Sequence, residues 1–211
     1  MFADWVVRGG APGAAGAQQE DDDDLLESRE LVRWLTKDNS RPASSLEMSP
    51  FFPDLLLTVS DWSFNIWKVG PQLNNAATRT PVFSSPVTTT PYTCGSWSPS
   101  RPGVVVISCA DGSLQVWDFT DSSYRPSVEF KATHTRITAM EFLKVSNTVN
   151  QRQQLLAIGD EAGTLHVFEM PRNLLRPIHH EKQIFANFID REIKVPGVTR
   201  LQANSLLQAT D

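Results

Sequence analysis

The chain has 211 residues, a formal net charge of −5 and only two cysteines. The acidic balance argues against a nucleic-acid surface, which shows as a basic excess, and no apolar run reaches the ~20 residues of a membrane-spanning helix. Cys94 and Cys109 have neither metal-ligand spacing nor a disulfide framework around them, so they read as reduced packing residues.

In chain order, the opening MFADWVVR (residues 1–8) is interrupted by Asp4 and Arg8, which spoil the apolar centre a signal peptide needs. Residues 9–30 are small and polar, then acidic, and are expected to form a flexible insertion. Four consecutive aspartates, Asp21 to Asp24, raise the thought of calcium. Metal loops space their ligands with turn residues, however, and a bare run is ordinarily a solvated loop.

From residue 31 to residue 178 the sequence repeats. The segments LLLTVSDWSFNIWK, VVISCADGSLQVWD and LAIGDEAGTLHVFE align so that Trp67, Trp117 and Phe168 fall in register, 50 and 51 residues apart. Each ends in an apolar-polar-apolar-aromatic run, the period of a strand, and each begins with a continuous apolar run that suits a strand covered on both faces. Asp111-Gly112 and Ala162-Gly163 supply hairpin turns between the two runs. A further strand precedes each hairpin, around Met48, Trp97 and Met140, and the third copy carries a polar insertion around Asn147 to Gln154. The fold class is therefore all-β: antiparallel sheets repeated about every fifty residues.

After Pro177 the pattern changes. Ile184, Phe185, Phe188, Ile189 and Ile193 recur at three-to-four spacing among charged residues, which reads as an amphipathic helix over residues 179–195, closed by Pro196-Gly197. Its apolar face either packs back on the sheets or docks into a partner, and Phe185, Phe188 and Ile189 are the contacts the second reading needs. Residues 196–211 are expected to fray as a flexible tail.

No catalytic constellation emerges: there is no phosphate-binding Gly-rich loop with its lysine, no GxSxG, no HExxH and no CxxC. No catalytic, cofactor or metal residue is assigned, and an enzyme is not expected. His166 falls at the polar strand position shared by Asn65 and Gln115, where a surface role explains it. His179 and His180 are adjacent and expected to point apart.

The Asp-Gly turn followed by Trp117-Asp118 resembles the end of a WD repeat, the unit of β-propellers. That family ties its blades with a tetrad of His, Ser/Thr, Asp and Trp. Asp61, Trp67, Asp111, Trp117 and His134 match positions of it, with Phe168 in the tryptophan place of the third copy, and no copy is complete. The blocks SPFFPDLLLTVSDWSFNIWK, YTCGSWSPSRPGVVVISCADGSLQVWDF and GTLHVFEMPRNLLRP, with FIDREIK after them, are similar to dynein intermediate chains, and among these most similar to the axonemal inner-arm type. The resemblance covers roughly residues 43 to 195. It implies three blades of an incomplete WD-repeat β-propeller, with residues 1–8 the remnant of a preceding blade and Leu31 to Lys37 its outer strand. A closed ring needs ~4–8 blades, so the chain is expected to be part of a longer protein.

The function implied is a non-catalytic scaffold of an axonemal dynein, working at the cilium or flagellum. Its partners would be a dynein heavy chain, a second intermediate chain and, through an upstream region with no match here, light chains; neither nucleic acid nor membrane is implied. Trp62, a bulky aromatic at a turn, is a candidate contact, although it could equally pack on a neighbouring blade. The alternative is a generic WD-repeat adaptor, such as a ubiquitin-ligase receptor or a transport coat.

Overall fold

The computed structural model describes residues 42–69, 81–143 and 154–194. The expectations for residues 1–8, 9–30, Leu31 to Lys37 and the tail lie outside them. Three antiparallel sheets follow one another. The first holds β1 (Ala43–Met48), β2 (Leu55–Ser60), β3 (Phe64–Lys68) and β4 (Phe83–Ser84), and the second β5 (Tyr92–Trp97), β6 (Val104–Cys109), β7 (Ser113–Asp118) and β8 (Val128–Lys131). The third has β9 (Ile137–Phe142), β10 (Leu155–Asp160) and β11 (Leu165–Glu169), and no fourth strand among the described residues. Two helices follow, α1 (Arg172–Leu175) and α2 (Glu181–Lys194). The sheets are the blades the repeat implied, each built in simple up-and-down order.

Local chemistry explains the hairpins. Gly112 and Gly163 take φ of 86° and 79°, a region open to glycine because it lacks a Cβ. Asp111 accepts from the Ser113 amide and hydroxyl at 3.0 and 2.7 Å, pinning the turn.

The blades stack through their inner strands, with β5 lying between β1 and β9. One apolar cluster joins blades 1 and 2 through Leu57, Val59, Phe64, Ile66, Trp97, Ile107 and Trp117. A second joins blades 2 and 3 through Val106, Leu114, Val116, Leu156 and Ile158. Residues of one strand thus alternate between two junctions, and blade 2 is dry on both faces: β6 and β7 are buried throughout.

This stacking corrects the surface reading of one strand position. Asn65 and Gln115 are buried, at 4 % and 8 % exposure, and at Gln115 the polar position of the repeat points into the junction with blade 1 rather than to water. Their amides are used there: Asn65 accepts from Ser84 at 2.7 Å, and Gln115 accepts from the Tyr92 hydroxyl at 2.9 Å and the Trp117 indole at 3.3 Å. His166, at the same position of blade 3, is half-buried on β11. Burial also holds the Cys109 thiol up at about 11 and the Tyr92 hydroxyl at about 12.

Candidate interaction site: the seat of the C-terminal helix

Two consecutive blades present the same loop to α2. Between β1 and β2 runs Ser49-Pro50-Phe51-Phe52-Pro53-Asp54, and between β5 and β6 runs Ser98-Pro99-Ser100-Arg101-Pro102-Gly103. In each, the serine amide donates to the residue opening the next strand (Ser49 to Leu55 at 2.9 Å, Ser98 to Val104 at 3.0 Å). In each, the serine hydroxyl accepts the amide three residues on, Phe52 at 3.3 Å and Arg101 at 3.1 Å. The fourth position therefore projects from a fixed turn, carrying phenylalanine in one blade and arginine in the next.

Both side chains meet α2. Phe52 lies 5.7 Å from the Phe185 ring, which also meets Trp97 and Phe119 at 6.0 and 5.6 Å. Phe188 meets Phe83 and Phe119 at 6.0 and 5.3 Å. The Phe119–Phe188 pair is stacked and the others are tilted or edge-on, arrangements that add to the burial gained.

Arg101 is the polar half of the seat. It is 2 % exposed, as is Glu181. Its Nε donates to both Glu181 carboxylate oxygens at 3.1 and 3.0 Å. One terminal nitrogen reaches Asp118 at 2.8 Å and the other the Asn173 carbonyl of α1 at 3.1 Å. Glu181 also accepts the Ile178 amide at 2.8 Å. A buried charge is tolerated only when paired and hydrogen-bonded, and this cluster meets that condition for all three ions. At the rim, Lys68 stands 3.8 Å from Asp190, an exposed pair that contributes little.

Phe185, Phe188 and Ile189 are thus core residues, 1 %, 6 % and 3 % exposed. The structure corrects their reading as partner contacts: blades 1 and 2 occupy the apolar face of α2. What α2 offers outward is Ile184 and Ile193, about half exposed, among Lys182, Gln183, Asn187, Asp190, Arg191 and Lys194. Trp62 is half-buried at the turn between β2 and β3.

The repeat residues are not joined in one network. Trp67 donates to Thr58 at 2.8 Å, an indole-threonine pair of the kind the tetrad implies, and Asp61 stands half-buried in the adjoining turn. Trp117 instead donates to Gln115, while Asp111 is taken by Ser113 and, at 3.2 Å, Lys131. His134 is exposed; its neighbours Thr133 and Thr135 make the blade 3 contact, both hydroxyls donating to Asp160 at 3.0 and 2.9 Å. Asp160 also accepts the Thr164 amide at 2.8 Å and lies 3.2 Å from His166 Nε2. The Thr164 N–H, then His166 and the two hydroxyls, hold its carboxyl well below the usual range despite opposing desolvation. Phe168 stacks on His166, at 6.3 Å. His179 and His180 do not point apart: their rings are 3.8 Å from one another, because His180 takes φ of 58° and turns back on its neighbour.

Residues 17–170 match the family described as the dynein axonemal intermediate chain 3 WD40 domain. The chain belongs to this family of axonemal dynein intermediate chain WD40 domains. It is 33 % identical over 150 residues to human dynein axonemal intermediate chain 3, covering 71 % of this chain and 16 % of that protein. It is 29 % identical to the ciliary dynein intermediate chain 3 of Heliocidaris crassispina, over 78 % of this chain and 26 % of that one. With the 70 kDa intermediate chain of the Chlamydomonas reinhardtii flagellar outer arm it shares 26 % identity, over 76 % and 26 %. The chain spans about a sixth to a quarter of these relatives. Among solved structures it is similar to the WD40 domain of Toxoplasma gondii coronin, at 17 % identity and a TM-score of 0.46, over 60 % of this chain and 30 % of that one.

Proposed function

We propose that this chain is a non-catalytic scaffold subunit of an axonemal dynein of the inner-arm type, working in the cilium or flagellum. The observation that carries the proposal is the family match over residues 17–170. The partners are a dynein heavy chain, whose tail the blades grip, and a second intermediate chain; light chains join through an upstream region. The stacked blades supply a rigid frame, and α2, locked into the junction of blades 1 and 2 by Arg101 and Phe185, makes helix and blades one surface. Scaffold action needs only such fixed geometry, since function lies in what the surface touches.

Affinity purification of the tagged chain from ciliated cells, followed by mass spectrometry, tests this. Recovery of a dynein heavy chain together with another intermediate chain is expected. Recovery of a ubiquitin-ligase or coat complex without dynein overturns the proposal in favour of a generic adaptor.

A further inference from the structure

The chain is acidic as a whole, with a net charge of −5, yet one stretch of its surface is basic throughout. From Pro171, just after the last strand, to Lys182 in the first turn of α2, the exposed ionisable side chains are Arg172, Arg176, His179, His180 and Lys182. The one acid in that span, Glu181, is buried against Arg101, so the first exposed carboxylate along α2 is that of Asp190. Arg172 and Arg176 make no ion pair among the described residues. Ile178 lies within the stretch and Ile184 just beyond it, 51 % and 43 % exposed. The segments that join β3 to β4 and β9 to β10, residues 70–80 and 144–153, contain Arg79, Lys144 and Arg152 and bring no carboxylate of their own.

Helix stability does not account for these charges. The start of a helix favours negative charge and disfavours positive, yet His180 immediately precedes α2 and Lys182 is its second residue. The Glu181 carboxylate, which would suit that end, is taken by Arg101. The stretch is also held in place. The Asn173 carbonyl accepts from Arg101 at 3.1 Å, Leu174 is buried in the cluster that joins blades 2 and 3, and the Lys182 ammonium sits 5.3 Å from the centre of the Phe52 ring. Cations ordered in advance lose less freedom when they pair.

We propose that the stretch from Arg172 to Lys182 is a docking surface for an acidic segment of a partner protein, a short run of aspartates or glutamates with an apolar side chain among them. Arg172, Arg176 and Lys182 pair with the carboxylates, and Ile178 and Ile184 receive the apolar residue. Charge complementarity of this kind speeds encounter and fixes register. A narrow basic stripe suits a peptide. A broad anionic surface, such as a layer of lipid headgroups, would also meet the exposed carboxylates of Asp121, after β7, and Asp190 on α2.

Fluorescence anisotropy of a fluorescein-labelled peptide of glutamates with a central leucine, titrated with the purified chain, tests it. Binding that weakens as salt is added is expected. Arg172→Glu with Arg176→Glu should weaken it about tenfold, the scale that a few exposed ion pairs reach together. Both side chains are exposed, so the circular dichroism spectrum should not change. Lys131→Glu with Arg136→Glu makes the same change in net charge at the opposite end of the strands and should leave the affinity close to that of the parent. The proposal is overturned if the unsubstituted chain does not bind, or if the two double variants lose affinity equally. It is overturned too if an oligonucleotide of the same charge, or vesicles rich in anionic lipid, bind as tightly as the peptide. Binding that emerges only after Asp21 to Asp24 are all replaced by asparagine would make the chain's own acidic run the occupant, and excludes the partner segment. None of these outcomes bears on whether dynein subunits co-purify.

Discussion

Arg101 and Glu181, eighty residues apart in the chain, form a buried pair in which one guanidinium nitrogen donates to both carboxylate oxygens at 3.1 and 3.0 Å. The pair ties α2 to the β5–β6 loop, and through Asp118 to the aspartate that ends the Trp-Asp signature of blade 2. Removing Glu181 leaves the Arg101 Nε–H and the Ile178 amide without their acceptor in a dry site, while Arg101 keeps Asp118 as its counter-ion. Glu181→Ala should therefore destabilise the chain by ~3–5 kcal/mol, read from urea unfolding. Replacing Arg101, Asp118 and Glu181 together by apolar residues of similar volume should cost far less than Glu181→Ala alone. An unfolding midpoint for Glu181→Ala within error of the parent would show that the helix is not held there.

The strands were legible because their aromatic ends fall in register at Trp67, Trp117 and Phe168, and a repeated pattern carries its own confirmation. The seat of α2 was not. Arg101 and Glu181 belong to residue types almost never fully buried unless paired, and nothing in local spacing announces a pairing eighty residues long. Asn65 and Gln115 misled for a related reason: alternation identifies a strand but not whether its polar side faces water or a neighbouring blade. The helix at Phe185 was legible as amphipathic, while its partner was identified only by the loops that carry Phe52 and Arg101. Asp160 carries no mark in the repeat pattern, because the hydrogen bonds expected of a repeat histidine at His134 are made instead by the threonines on either side of it.

Trp117 is 2 % exposed and meets Phe64 of blade 1 edge-on at 5.1 Å. Trp117→Ala removes a large side chain from a junction whose strands cannot close up, and should cost ~3–5 kcal/mol. Calorimetry is the measurement, and a loss under ~1 kcal/mol would place the side chain at the surface and the strand in a different register.

Gly95 is demanded by close packing rather than by turn geometry. The Cβ of Gly95→Ala would sit 2.5 Å from Val59 Cγ2 and 2.9 Å from Ile107 Cδ1. Val59 is stiff at χ1, so the blades must separate slightly, at ~1–3 kcal/mol. Gly159→Ala, with its nearest neighbour 3.7 Å away, is the control and should be close to neutral in the same chemical-unfolding series. Equal losses at the two positions would mean that blade 1 does not approach β5 as described.

Asp160 makes blade 3 sensitive to acid. The Thr164 amide, His166 and the hydroxyls of Thr135 and Thr133 lower its folded pKa from the ordinary 3.8. A depressed carboxylate pKa means the unfolded chain takes up the proton first, so the stabilisation is complete above the ordinary value and is lost as pH falls through and below it. Asp160→Asn keeps the size but gives up the charge. Its melting temperature should lie below that of the parent at pH 6, and the gap should narrow as pH is lowered through 4 towards 2. The same convergence should persist in a His166→Gln background, where the Thr164 amide and the two threonine hydroxyls still hold the carboxylate. Parallel melting curves for parent and Asp160→Asn across that range would show that the carboxylate is not held by these donors.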